Sequence, residues 1–264
     1  MRILFIGDIV GGAGKKIALQ QLPNLLEKHK VDFTIANGEN CTSGFGMNKS
    51  SFDQLIACGI DAFTMGNHTW DNKDIFRFIN DEPRIVRPAN IPDIMPGRGY
   101  GFFDVNGEKL AIINLLGQVY MTPLNNPFAT VDQILPEILK QTHNVFLDFH
   151  AEVTSEKVAM GWYLDGRVSA IVGTHTHIQT NDARILPRGS AYLTDAGMTG
   201  PRDSVLGVDT DIIIQRFRSG HSERFQVAEG DLQFNGVLID IDTDGKATNI
   251  ETINFWQPSL YNDM

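Results

Sequence analysis

Short apolar runs bounded by glycine or polar residues recur along this chain, and amphipathic segments separate them. The runs match buried strands, while the segments between them are long enough for helices. This alternation predicts βαβ units with right-handed crossovers. The chain is therefore constrained first to an α/β fold.

The predicted elements follow from this pattern. Strands are expected at residues 3–6, 33–36, 62–65, 110–115, 145–149 and 168–172. Helices are expected at residues 15–28, with a kink or restart at Pro23, and at residues 50–58. The proline-dense stretch 87–97 predicts an irregular loop. Extended runs at 224–228, 236–240 and 247–253 predict an antiparallel C-terminal part with a hairpin turn at Asp244-Gly245.

Composition limits the size and class of the protein. Of its 264 residues, 42% are apolar and 20% are charged, so the chain can bury a substantial core. We expect a single domain spanning residues 1–264. The net charge of −10 disfavours extended nucleic-acid binding, while a small anionic substrate is compatible with bound cations that reverse the local sign.

No segment predicts secretion or membrane insertion. The apolar stretch at residues 3–6 is too short for a signal peptide, and no run approaches the roughly 20 apolar residues of a membrane helix. We therefore expect a soluble cytoplasmic protein, for which a homo-oligomer is compatible with the sequence. The two cysteines are expected to be free thiols, although Cys41 beside Asn40 is a conceivable soft metal ligand.

Side chains that bind metals stand just past several predicted strands, where ligands bind in open α/β sheets. The pair His175 and His177 is the strongest signal, because residues two apart in extended geometry direct both rings to one side. Turn, helix-cap or solvent-exposed roles are the alternatives for each residue taken alone. The candidate metal ligands are Asp8, Glu39, Asn40, Asn67, His150, His175 and His177.

These seven candidates exceed the roughly three or four protein ligands of one zinc site, so we expect two metal ions. Mixed oxygen and nitrogen donors suit iron, manganese or zinc.

His68 follows Asn67 directly and would point toward the substrate, where it could act as a general acid. Asp148 shares a strand face with His150 and is a candidate to fix the tautomer of that imidazole. A nucleotide-binding P-loop is rejected, because Lys16 stands where serine or threonine is required.

The ordered motifs Gly-Asp, Gly-Glu-Asn, Gly-Asn-His and Gly-Thr-His-Thr-His, together with His150, resemble the calcineurin-like metallophosphoesterase superfamily. Longer motifs, such as Met-Gly-Asn-His-Thr-Trp, Asp-Phe-His-Ala-Glu and Asp-Ala-Gly-Met-Thr-Gly-Pro, resemble the bacterial YmdB-type phosphodiesterases nearly end to end. Two departures from the superfamily belong to this subgroup: Val10 stands at a usual histidine position, and Glu39 replaces the usual bridging aspartate.

The resemblance implies a four-layer αββα sandwich, that is, two mixed β-sheets flanked by helices. It also implies that Glu39 bridges two ions, of which iron or manganese are the most typical and zinc is an alternative. Asp8, Asn40 and His177 would complete one metal site. Asn67, His150 and His175 would complete the other. Hydrolysis of cyclic nucleotides, particularly 2′,3′-cyclic monophosphates, is the implied activity, with a metal-bridging hydroxide as nucleophile and His68 as general acid.

Two other functions compete with this hypothesis. A regulatory module could keep the metal and nucleotide site but act through a protein partner with little turnover; retention of His68 favours the enzyme. A TIM-barrel amidohydrolase would require His-x-His near the first strand, which here ends in Gly-Asp. Trp70, Trp162 and Tyr163 can stack on a base, although packing is the commoner role of such residues.

Overall fold

The computed structural model describes residues 1–122, 124–221 and 223–258. The strands in these ranges are β1 Arg2–Ile6, β2 Asp8–Ile9, β3 Phe33–Asn37, β4 Ala62–Thr64, β5 Ile85–Val86, β6 Tyr100–Val105, β7 Glu108–Leu116, β8 Val145–His150, β9 Ala170–Thr174, β10 Arg184–Ile185, β11 Ala191–Leu193, β12 Met198–Pro201, β13 Leu232–Ile241 and β14 Ala247–Gln257. The helices are α1 Gly11–His29, α2 Lys49–Ala57, α3 Pro127–Leu139, α4 Thr154–Leu164 and α5 Thr210–Ser219, with a 3-10 helix at Lys73–Arg77.

The strands form two mixed sheets. The first has the order β2-β12-β13-β1-β3-β4-β5, with β14 paired to β13. Its strands β1, β3, β4 and β5 are parallel, whereas β13 runs antiparallel to β1, β12 and β14. The second sheet has the order β10-β11-β9-β8-β7-β6, in which β7, β8, β9 and β11 are parallel.

Alternation of side chains along the strands produces three apolar layers. On β1, Phe5 packs between the two sheets, whereas Leu4 packs with α1 and α2 on the outer side of the first sheet. On β8, Phe146 packs between the sheets, whereas Leu147 packs with α3 and α4. Because successive strand side chains point to opposite faces, each sheet is covered on both sides. The order of layers is helices, sheet, sheet, helices, which confirms the predicted αββα sandwich.

The first helix is longer than the sequence predicted and does not restart at Pro23. It begins at Gly11 and continues to His29 with Pro23 inside. Proline removes a single backbone hydrogen bond, and Leu22 and Leu25 on either side of it are buried in the core. Burial of this helix face maintains the helix through the proline.

Helices α3 and α4 were not among the predicted helices, and further differences lie in the last third of the chain. Residues 224–228 do not form a strand and contribute only an isolated bridge at Val227. Helix α5 was missed, although its start is marked by Asp209, whose side chain accepts from the amides of Asp211 and Ile212. The antiparallel prediction is confirmed for the β13–β14 hairpin, but β11 and β12 each also have a parallel partner. The strand expected at 168–172 lies at Ala170–Thr174.

The proline-dense stretch is irregular, as predicted, and a buried arginine holds it. Arg87 is 5% exposed and donates to the carbonyls of Pro88, Met95 and Pro96 at 2.8–3.4 Å. A loop that provides these acceptors satisfies a charged group in the protein interior.

Within the described residues, no helix combines the length and apolar composition that crossing a membrane requires. The single domain of residues 1–264, the cytoplasmic location and a homo-oligomer stay predictions from the sequence.

The aromatic contact between the sheets gives a test of the layered core. Phe146 is fully buried and its ring centroid lies 5.0 Å from that of Phe5. We expect Phe146→Ala to lower the free energy of unfolding by about 3–5 kcal/mol, because it leaves a cavity between two sheets. Phe217→Ala, at a side chain that is 85% exposed, should change it by less than about 0.5 kcal/mol. Urea unfolding followed by circular dichroism measures both, and equal losses would contradict the placement of Phe146.

Candidate metal centre

The carboxyl ends of β1, β3 and β4 in one sheet and of β8 and β9 in the other meet at one edge of the sandwich. Buried polar side chains join the two sheets below this edge. Asn37 at the end of β3 donates to Asp148 Oδ2 on β8 at 3.1 Å. Asn114 on β7 accepts from the amide of Met65 and donates to the carbonyl of Asp148, both at 3.3 Å. These contacts fix the distance between the two halves of the site.

Four predicted ligands converge around one imidazole nitrogen. His150 Nε2 lies 3.0 Å from Glu39 Oε1, from Asn67 Oδ1 and from His175 Nδ1. Donor atoms of Glu39, His150 and His175 all lie within 4.8 Å of one another. The carboxylate, amide and imidazole atoms that meet here are the types that hold divalent metals.

A threonine fixes the tautomer of His150. Thr174 donates its hydroxyl proton to Asp148 Oδ1 at 2.7 Å. The hydroxyl oxygen of Thr174 therefore accepts the hydrogen bond from His150 Nδ1, which lies 2.9 Å away. Nδ1 therefore carries a proton, and Nε2 is the ring nitrogen that faces the cluster. The sequence prediction that Asp148 orients His150 is correct in its result, but the contact runs through Thr174.

The other two predicted histidine ligands are held in the same way. His175 Nε2 lies 3.1 Å from the carboxylate of Glu152, which leaves Nδ1 toward His150. His177 Nδ1 donates to the carbonyl of Leu206 at 2.9 Å, and its Nε2 lies 3.8 Å from Asp8 Oδ1. Histidines that bind metals commonly donate the N–H of their other ring nitrogen to such a partner.

Two buried oxygens at the site accept no hydrogen bond from any described residue. They are Asp8 Oδ1 and Asn40 Oδ1, and both side chains are at most 4% exposed. An unsatisfied buried acceptor is costly and calls for a positive partner. Asp8 and Asn40 therefore fit a bound cation, together with the His177 nitrogen that faces Asp8.

The electrostatics of the cluster also favour positive charge. Burial opposes ionisation of Glu39, but the adjacent His150 outweighs it and lowers the pKa of Glu39 to about 2. Burial likewise opposes protonation of His150, but Glu39 and Asp8 raise its pKa to about 9. Burial lowers the pKa of His175 to about 3, with His150 adding to the effect, so its ring is neutral near pH 7. A cation that enters here meets the Glu39 carboxylate and the neutral His175 ring, and it would displace the second proton of His150.

The conformation of the histidine pair differs from the prediction. The residues were expected in extended geometry, but His175 has φ 97° and His177 has φ 64°, so both lie in the left-handed region. The residue between them is tied to a buried carboxylate, because Thr176 donates its amide and hydroxyl to Asp195 at 3.1 and 2.6 Å. Lys157, 1% exposed, pairs with Asp195 at 2.7 Å. This buried ion pair holds the loop that presents both rings.

His68 lies beside the cluster and lines the same cavity. Its backbone amide donates to Glu39 Oε2 at 2.8 Å, and its Nδ1 lies 2.7 Å from the carboxylate of Asp71. The Asp71 carboxylate thus favours a proton on Nδ1 of His68. The cysteine considered as a soft ligand does not take part: burial raises the pKa of Cys41 to about 12, and its thiol contacts the carbonyl of Gly46.

The residues that orient the ligands were mostly missed in the sequence. Thr174 and Glu152 stand beside the predicted histidines in the motifs Gly-Thr-His and His-Ala-Glu, and that proximity was an available signal. Leu206 contributes only a backbone carbonyl, which no side-chain pattern reveals. The contact between Lys157 and Asp195 spans distant segments and likewise leaves no local signature.

Comparison with known proteins identifies the family. The model of YmdB-like proteins matches residues 4–253. This chain belongs to that family. A relative from Bacillus subtilis (strain 168), named 2′,3′-cyclic-nucleotide 2′-phosphodiesterase, is 54% identical over 254 residues, which cover 96% of each chain.

Solved structures agree with the fold. A novel phosphatase from Mycoplasma pneumoniae has a TM-score of 0.93 and 36% identity, covering 98% of this chain and 95% of its own. A 5′-nucleotidase precursor from Thermus thermophilus has a TM-score of 0.61 and 13% identity, covering 98% of this chain and 54% of its own. The second likeness concerns the fold alone.

The threonine contact predicts an indirect effect on metal binding. Thr174→Val removes the hydroxyl that accepts from His150 Nδ1 while it keeps the side-chain volume. We expect metal affinity to fall by about 10-fold to 100-fold, the usual effect of losing such a partner. Thr174→Ser should restore most of it. Competition with a chromophoric chelator measures the affinities, and an unchanged affinity in the valine variant would contradict this role of Thr174.

Proposed function

We propose that this protein is a phosphodiesterase that uses two metal ions to hydrolyse 2′,3′-cyclic nucleoside monophosphates. The observation that carries the proposal is the convergence of buried donors, above all the unpaired oxygens of Asp8 and Asn40 beside the cluster of Glu39, His150 and His175. The substrate class is supported by the Bacillus subtilis relative, whose name states this activity.

In the proposed centre the donors divide into two sites that share Glu39. His150 Nε2 marks the first site, with Asn67 and His175 around it. Asp8 marks the second site, with Asn40 and His177. Iron or manganese are the proposed metals, with zinc as an alternative, because the donors are oxygens and imidazole nitrogens without a thiolate. The cations would also offset the acidic charge of the protein toward an anionic substrate.

Two bound cations would lower the pKa of a shared water and neutralise charge on the phosphate. The chain's own contribution to the reaction is the proton. The attacking water would lose one proton to solvent. As its oxygen bonds to phosphorus, the bond from phosphorus to the ribose 2′ oxygen would break, and the product is a 3′-monoester. The departing oxygen takes a proton from His68, which Asp71 holds through the other ring nitrogen.

Metal removal and reconstitution test the proposed activity. Chelator-treated protein should be inactive, and manganese or iron should restore turnover with about two ions per chain. We expect 2′,3′-cyclic AMP to react faster than 3′,5′-cyclic AMP, because its five-membered ester is strained. Mass spectrometry of bound metal and chromatography of the nucleotide products provide the measurements.

A matched pair of carboxylate variants serves as the control for that experiment. Glu39→Gln removes the proposed shared ligand with little change in volume and should lower both metal content and turnover. Glu82→Gln alters a carboxylate that pairs with Arg84 instead and should leave both as they are. Fully reconstituted protein that hydrolyses none of these esters would favour a binding module over an enzyme.

His68→Ala isolates the proton transfer. The variant keeps the backbone amide that donates to Glu39, so metal binding should persist. Turnover of 2′,3′-cyclic AMP should fall by about 10² or more, the usual contribution of a general acid. Bis(p-nitrophenyl) phosphate, whose leaving group needs no proton, should lose much less. Equal losses on the two substrates, measured as kcat with saturating metal, would remove His68 from the role of acid.

A further inference from the structure

The cavity beside the candidate metal ligands has a second, aromatic side. It measures about 310 Å³, a volume within the range of small-molecule sites. Glu39, His175 and His177 line one part, and Phe45 and Phe225 line another. A ligand whose phosphate lies at the cluster therefore has an apolar surface within the same cavity.

A tight, glycine-containing turn presents Phe45 to this cavity. Ser43, Gly44 and Gly46 have φ values of 53°, 88° and 70°, and backbone hydrogen bonds join Thr42 to Phe45 and Gly46. The ring is nevertheless 37% exposed. The two glycines adopt this conformation without strain, whereas Ser43 does so at a cost.

The turn is hydrogen-bonded directly to a candidate metal ligand. Asn40 Nδ2 donates to the carbonyl of Gly44 at 3.0 Å, while its Oδ1 is one of the unpaired buried oxygens. Phe45 also forms a T-shaped contact with the His68 ring, with centroids 5.0 Å apart. The position of the Phe45 ring is thus set by Asn40 and His68, two residues of the proposed active site.

Phe225 extends the aromatic surface. Its ring plane is inclined by only 15° to that of Phe45, with centroids 6.4 Å apart, so the two faces share one orientation. The guanidinium of Arg216 lies 5.1 Å from the centroid of Phe225 and supports the ring. A flat heterocycle can align with both phenylalanines, and base–aromatic stacking accepts any of the bases.

We propose that Phe45 and Phe225 form the base-binding wall of the active site, on which the nucleobase of a 2′,3′-cyclic nucleotide stacks. This inference rests on the proposed function. The aromatics considered from the sequence, Trp70, Trp162 and Tyr163, lie outside the described lining of the cavity. Recognition through a ring face makes the enzyme tolerant of base identity.

Phe225→Leu tests the wall, because leucine keeps an apolar side chain and removes the aromatic face. The KM for 2′,3′-cyclic AMP should rise by about 5-fold to 100-fold, as expected from the loss of one stacked base. The rise should be absent with 1,4-anhydroribitol 2,3-cyclic phosphate, which is the same ester without a base. Phe225→Tyr keeps the face and should restore the low KM. Phe217→Leu, at an exposed site outside the cavity lining, is the matched control.

A binding measurement separates this inference from the activity itself. Adenosine carries no phosphodiester, so its affinity for zinc-reconstituted protein, measured by NMR titration of the adenine protons, does not depend on turnover. We expect weaker binding to the Phe225→Leu variant than to wild type or Phe225→Tyr. Unchanged adenosine binding, or an equal rise in KM with and without a base, would overturn the base-binding wall. Absence of turnover in wild type with this binding pattern intact would overturn only the proposed reaction.

Discussion

A concentration of hydrogen-bond acceptors at the carboxyl ends of five strands is the constraint on which the rest of the site depends. Both sheets contribute side chains to this edge, and the acceptor oxygens Asp8 Oδ1 and Asn40 Oδ1 are buried without a partner among the described residues. Folding tolerates such a cluster only where positive charge can enter. The raised pKa of His150, about 9, reports the same field that attracts a cation.

Orientation of the imidazoles follows one rule throughout the cluster. His150, His175 and His177 each have one ring nitrogen tied to an acceptor, and the acceptors differ in kind: a hydroxyl, a carboxylate and a backbone carbonyl. In each case the free nitrogen faces the cluster. Because every ring is fixed before a ligand arrives, little rotational freedom is lost when one binds. The buried pair of Lys157 and Asp195 serves the same purpose at the level of the loop.

The sequence predicted the fold class and the convergence of the ligand segments because both depend on local pattern. Asp8 and His150 close apolar runs, and parallel strands bring such ends to one edge. Contacts that join distant segments were not predictable, as with Thr174 beneath His150 or Leu206 beside His177. Extended geometry was wrongly assigned to the histidine pair, since a left-handed φ at a non-glycine residue depends on the contacts of Asp195 rather than on local propensity.

A single amide links the proposed metal centre to the proposed base-binding wall. Asn40 donates its amino group to the carbonyl of Gly44, and its carbonyl oxygen, buried without a partner among the described residues, is left for a cation. Val10 adds an apolar surface to the same cavity. Asn40 thus joins the proposed metal centre to the aromatic wall that we propose for the base.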